Sequence, residues 1–142
     1  MGTNTPLSIP SGTISSIQAS SWQCFVDNIS IGGRNTVELP SSSQNSLVFC
    51  QSNNLRDGPH VLSVNVSTGV PPIWFDQIQY LPSSNVSLDQ SIVRVDSSDS
   101  AIRYSSGWME DSPSKSVNYT QTAGSTVTYE FSGSQTVEFC SF

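Results

Sequence analysis

Positive charge is scarce in this sequence. It holds 5 Lys and Arg against 11 Asp and Glu, a net charge of -6, and charged residues of both signs make up only 11% of its 142 residues. A surface without clustered Lys and Arg repels nucleic-acid phosphates and anionic membranes, which excludes both as partners. Long apolar runs are missing too: no window approaches the roughly 18 apolar residues that a membrane-spanning helix requires. Nor does any stretch carry the apolar stripe of an amphipathic helix. With 1 His and 3 scattered Cys, zinc-ligand spacing is absent, and no Gly-X-Ser-X-Gly elbow marks a hydrolase nucleophile. No cofactor is expected.

What the chain does have is the period of strands. From His60 to Ser67, Leu62, Val64 and Val66 fall on one face while Val61, Ser63, Asn65 and Ser67 fall on the other. Val127, Tyr129 and Phe131 repeat the pattern against Thr126, Thr128 and Glu130. Further strands are predicted over 21–27, 36–39, 46–50, 73–80, 92–95, 101–104, 117–120 and 136–141. Turn signals separate them: Gly32-Gly33, Pro40-Ser41, Asp57-Gly58-Pro59, the stretch 69–72, Ala123-Gly124 and Ser132-Gly133. About ten short strands at this spacing predict an all-β, antiparallel sandwich of jelly-roll or Greek-key kind, and the length suits one domain.

Few residues suggest chemistry. His60 has Asp57 and many serines nearby in sequence, but it follows Asp-Gly-Pro in phase with inward Leu62, the position of a strand-end histidine bonded to turn backbone. The acids sit at turns or outward strand positions, so the paired carboxylates of a glycosidase are not expected and the protein is read as non-catalytic. Asp96 and Asp99 are weak calcium candidates; Asx turns account for the same residues. Sugar binding suits the fold best, because such sites stack a pyranose on an aromatic ring and bond its hydroxyls with amides or charges. Trp74 and Trp108 are the aromatic candidates, with Asn53, Asn54 and Arg56 as polar partners. The competing reading buries Trp22, Trp74 and Trp108 alike in the core. Neighbouring Trp74 and Phe75 must point to opposite faces of a strand, so one of that pair lies outside the core or is covered by a loop. Four Asn-X-Ser/Thr sequons, at Asn28, Asn65, Asn85 and Asn118, are N-glycosylation candidates that lean toward secretion.

Two blocks carry a family resemblance. The stretch Asn53-Asn54-Leu55-Arg56-Asp57-Gly58-Pro59-His60-Val61-Leu62-Ser63-Val64-Asn65-Val66, with Trp74-Phe75-Asp76-Gln77-Ile78-Gln79-Tyr80-Leu81-Pro82, resembles the closing half of a jelly-roll, galactose-binding-like ectodomain module of secreted or membrane-anchored proteins of mushroom-forming (basidiomycete) fungi. Val95-Asp96-Ser97-Ser98-Asp99-Ser100-Ala101-Ile102-Arg103-Tyr104-Ser105-Ser106-Gly107-Trp108 resembles the opening half. Here the halves stand in permuted order. The resemblance implies an extracellular or cell-surface location, although Met1-Gly2-Thr3-Asn4-Thr5-Pro6 lacks the basic flank and apolar run of a signal peptide. On that reading the sequence is a mature portion; a cytosolic protein is the alternative.

The domain then spans 1–142, made of a closing half over 1–81 and an opening half over 92–142 joined by the polar linker 82–91. The second part is too small a sheet to stand alone in water. It closes on the first part of its own chain across a linker that reaches about 33 Å, or completes a neighbour's first part, or the sequence is a piece cut from a tandem array. Reading 136–142 into Met1-Gly2-Thr3 recreates the strand and turn expected at mid-module, which favours permutation. Cys24 and Cys50, in two short strands of one half-module, are expected to bridge, with two reduced core cysteines as the alternative; Cys140 is left over. Two roles follow as expectations. One is a module that binds glycans or cell wall; the other is a homo-oligomeric subunit that exchanges half-modules head to tail into a filament.

Overall fold

In the computed structural model, residues 21–34, 47–48, 50–53, 55–68, 72–87, 91–113 and 117–141 are described. They form strands β1 (Ser21–Val26), β2 (Ile29–Arg34), β3 (Leu47–Val48), β4 (Gly58–Thr68), β5 (Ile73–Phe75), β6 (Gln77–Pro82), β7 (Val93–Asp96), β8 (Arg103–Tyr104), β9 (Trp108–Glu110), β10 (Asn118–Thr120) and β11 (Thr126–Ser141). The larger sheet has the order β2-β1-β4-β11-β6-β7, with β3 and β8 also paired to β11; the smaller is β5-β10-β9. All pairings are antiparallel. The result is the antiparallel β-sandwich that the period-2 alternation predicts.

The alternation places the core. Leu62, Val64 and Val66 of β4 and Val127, Tyr129 and Phe131 of β11 are buried, joined by Trp22, Cys24 and Val26 of β1, Ile78 of β6 and Phe75 of β5. Burying each of the larger apolar side chains contributes about 1.5–3 kcal/mol. A disulfide joins Cys24 to Cys50, whose Cα atoms lie 6.3 Å apart, and ties β1 to the segment leading into β4. In this chain β11 lies between β4 and β6: its residues 126–133 pair with β4, and 133–140 with β6. The part over 92–142 thus inserts its longest strand into the sheet of the part over 1–81.

Two turn assignments and one strand need correction, and both turns rest on glycine. Gly32-Gly33 lies inside β2, and the chain instead reverses at Asp27 and Asn28, whose φ values of 53° and 65° suit a tight hairpin. A Cβ on Gly33 would sit 2.5 Å from the Trp22 carbonyl oxygen of β1, so glycine is there for close strand approach. Ser132-Gly133 is no turn either, because β11 runs straight through it where β4 ends and β6 begins. A Cβ on Gly133 would strike the Leu81 carbonyl oxygen. The stretch 73–80 breaks at Asp76, sending β5 and β6 into different sheets, and β9 is a strand that the pattern left out. The predicted strand 36–39 and the joint at Met1 lie outside the described residues.

Candidate functional site

The small sheet has one face on the core and one toward solvent. On β5, Ile73 and Phe75 are buried and Trp74 is half-buried on the opposite face; Phe75, at 0% exposed, takes the inward place and Trp74 the outward one. On β10, Asn118 and Thr120 are buried and Tyr119 is half-buried. Register sets Trp74 opposite Tyr119 and Tyr119 opposite Met109 of β9, so the three share the outer face. The Trp74 and Tyr119 rings lie 4.8 Å apart, inclined by 32°, and Met109 is 45% exposed. At about 4.8 Å per strand the row spans roughly 10 Å. It is an aromatic strip on a sheet face.

Sequence reasoning missed Tyr119 and Met109 because β10 inverts the usual rule of apolar inside and polar outside. Its polar side chains face inward, and each is satisfied there. Asn118 Nδ2 donates to the Ser97 carbonyl at 2.9 Å, which the Tyr104 hydroxyl also reaches at 2.7 Å. Burial pushes the Tyr104 hydroxyl up from its ordinary range, so it stays a protonated donor. Thr120 Oγ1 donates to the Gly107 carbonyl at 2.8 Å and accepts from the Thr122 N–H at 3.1 Å. With both flanking residues bonded inside, Tyr119 must face out. The alternation Asn118-Tyr119-Thr120 was the available signal, with its sign reversed.

Trp108 does not belong to this strip. It pairs with Thr120 and so faces the core, where its ring lies 5.3 Å from Tyr104 and 6.3 Å from Phe75. Its Nε1–H donates to the Thr126 carbonyl at 3.0 Å. The polar candidates Asn53 and Arg56 lie in the loop before β4. Asn53 Oδ1 accepts from Gln51 Nε2 at 3.0 Å in the loop before β4, and Arg56 is exposed in that same loop. The loop runs from Cys50, bonded to Cys24 opposite Val64, to the Gly58 end of β4. Asn54 lies outside the described residues. Trp74 and Trp108 face opposite sides of the small sheet and therefore do not form one site.

Asp96 and Asp99 act as turn formers: Asp96 Oδ1 accepts from the Ser98 N–H and hydroxyl at 2.9 and 2.7 Å, and Asp99 Oδ1 from the Ala101 N–H at 2.8 Å. Among the described residues no three His, Cys, Asp or Glu side chains are grouped to hold a metal ion. Burial, and then the neighbouring Asp96, raise the Asp76 carboxyl above its ordinary value. Of the sequons, Asn28, Asn65 and Asn85 are exposed, but Asn118 is 9% exposed and bonded to Ser97. A glycan on Asn118 Nδ2 is incompatible with this packing, which removes it from the glycosylation candidates.

His60 has no free nitrogen for catalysis. Nδ1 lies 2.6 Å from Asp27 Oδ2 and Nε2 lies 2.6 Å from the Arg56 carbonyl oxygen. Its side chain is 10% exposed, at the edge of a groove of about 370 Å³ also lined by Pro59, Tyr80, Glu130 and Phe131. No described helix is long and apolar enough to cross a membrane. Compared with protein-family models, with curated proteins and with solved structures, the chain matches none.

Proposed function

We propose that this protein is a non-catalytic, extracellular carbohydrate-binding module that holds cell-wall polysaccharide on the outer face of its small sheet. The observation carrying this reading is the Trp74–Tyr119–Met109 strip, an apolar surface aligned by strand register. Sugar rings present apolar C–H faces that stack on such side chains, while their hydroxyls stay in water or bond at the rim. The low basic content argues against anionic ligands, and the buried Cys24–Cys50 disulfide suits an oxidising compartment. The resemblance to fungal jelly-roll ectodomain modules points to the same setting. The strip lies on a sheet face rather than in a cleft, which favours an extended chain over a sugar end.

The test is retention on insoluble β-glucan and chitin, read by depletion from solution. Wild-type protein is expected to bind at least one of them, and Trp74→Ala to lose about tenfold in affinity, equivalent to ~1.4 kcal/mol. A wild-type protein retained by neither polymer and silent on a glycan array would overturn the proposal.

A further inference from the structure

The groups around His60 form a second device, separate from the aromatic strip. Asp27 sits at the β1–β2 turn, where its N–H donates to the Val61 carbonyl at 2.9 Å and its Oδ1 accepts from the Val61 N–H at 2.8 Å. Its other oxygen faces His60 Nδ1, while His60 Nε2 faces the Arg56 carbonyl in the loop between Cys50 and β4. Both partners of the ring are acceptors only. A neutral imidazole has one N–H and one lone pair, so it can satisfy one partner and must turn its lone pair on the other. Only the imidazolium donates to both.

We propose that Asp27, His60 and the Arg56 carbonyl are a proton-operated latch, in which protonated His60 pins the β1–β2 turn and the 51–57 loop to β4 and lets one of them go on deprotonation. The surrounding charges fit. From the loop, Asp57 adds negative charge and is itself anchored by the Ser84 hydroxyl at 2.9 Å. From β11, Phe131 offers a neutral ring 5.5 Å away, and Glu130, which lines the same groove, leans toward Arg103 at 3.6 Å. From β6 comes the uncharged Tyr80. Burial works against the charged ring, but the bonds to Asp27 and Arg56 and the charges of Asp27 and Asp57 outweigh it, and His60 titrates above its ordinary value. Asp27, bonded by His60 and the Val61 N–H, titrates below its own.

The signs define a window. A histidine raised on folding contributes stability in full below about pH 6.5 and loses it as pH rises through the folded value. A carboxyl lowered on folding contributes above about pH 3.8 and loses it as pH falls through its folded value. The latch is closed between the two.

His60 is the sole histidine, so its Cε1 proton gives one unambiguous NMR titration. The expected midpoint lies above 6.5, moves down in Asp27→Asn, and coincides with faster amide exchange of Val61 or of the 51–57 loop. The melting temperature should fall by a few °C from pH 5.5 to pH 8.5, and His60→Gln should abolish that slope. A wild-type midpoint at or below 6.5, or loop exchange unchanged across the titration, would refute the latch. The wild-type measurements stand even if a variant fails to fold.

Discussion

Breaking the Cys24–Cys50 bond tests the sandwich where β1 meets the segment entering β4. The two residues are separated by 26 positions, and in the chain-entropy relation a loop of that size restricts the unfolded chain by about 3.5 kcal/mol at 25 °C. That is a large part of the 5–15 kcal/mol by which domains are usually stable. For 142 residues the unfolding entropy converts the loss into a fall of about 12 °C in melting temperature. The assay is urea unfolding of the wild-type protein with and without a phosphine reductant, followed by tryptophan fluorescence. Trp22, adjacent in register to Cys24 on β1, reports on the sheet. Reduction should lower the midpoint and raise the slope, because an unlinked denatured chain exposes more surface. Alkylation of unreduced, denatured monomer should label Cys140 alone. Labelling of three cysteines, or reduced and oxidised proteins with the same midpoint and slope, would refute the bridge and its entropic account.

Other outcomes follow from particular contacts. Trp108→Ala should destabilise by about 3 kcal/mol through lost packing on Phe75 and Tyr104, seen in the denaturation midpoint. It should leave the polysaccharide affinity of the remaining folded protein intact, in contrast to Trp74→Ala. Gly133→Ala should cost roughly 2 kcal/mol, since its Cβ meets the rigid Leu81 backbone rather than a side chain that can move. Glycopeptide mapping of protein secreted from a eukaryotic host should find Asn118 unmodified; a folded protein glycosylated there would refute the inward placement of that residue.

The legible parts of the fold were those with strict alternation and strong apolar contrast. Leu62, Val64 and Val66, with Val127, Tyr129 and Phe131, announce their faces because only one side of each strand can leave water. The stacking reading of Trp74 rests on the same parity, given Phe75 beside it. Glycine misled, because a lone pattern cannot distinguish a residue that turns the chain from one that admits a neighbour's backbone. Gly33 and Gly133 do the second. The Asp27-Asn28 hairpin was readable as turn chemistry but was masked by the louder Gly-Gly pair.

Composition and period determined the all-β class, the antiparallel sandwich and the inward faces of its two longest strands, because these depend on local chemistry and on a two-residue repeat. Which strands become neighbours depends on contacts between residues far apart in the chain, and only the tertiary structure decided that. It joined Trp74 to Tyr119 across β5 and β10, sent Trp108 inward, and brought Asp27 to His60 from 33 positions away. A buried polar residue needs a hydrogen-bond partner waiting for it. Asn118 faces inward because Ser97 offers one, and Tyr119 faces the solvent as a consequence.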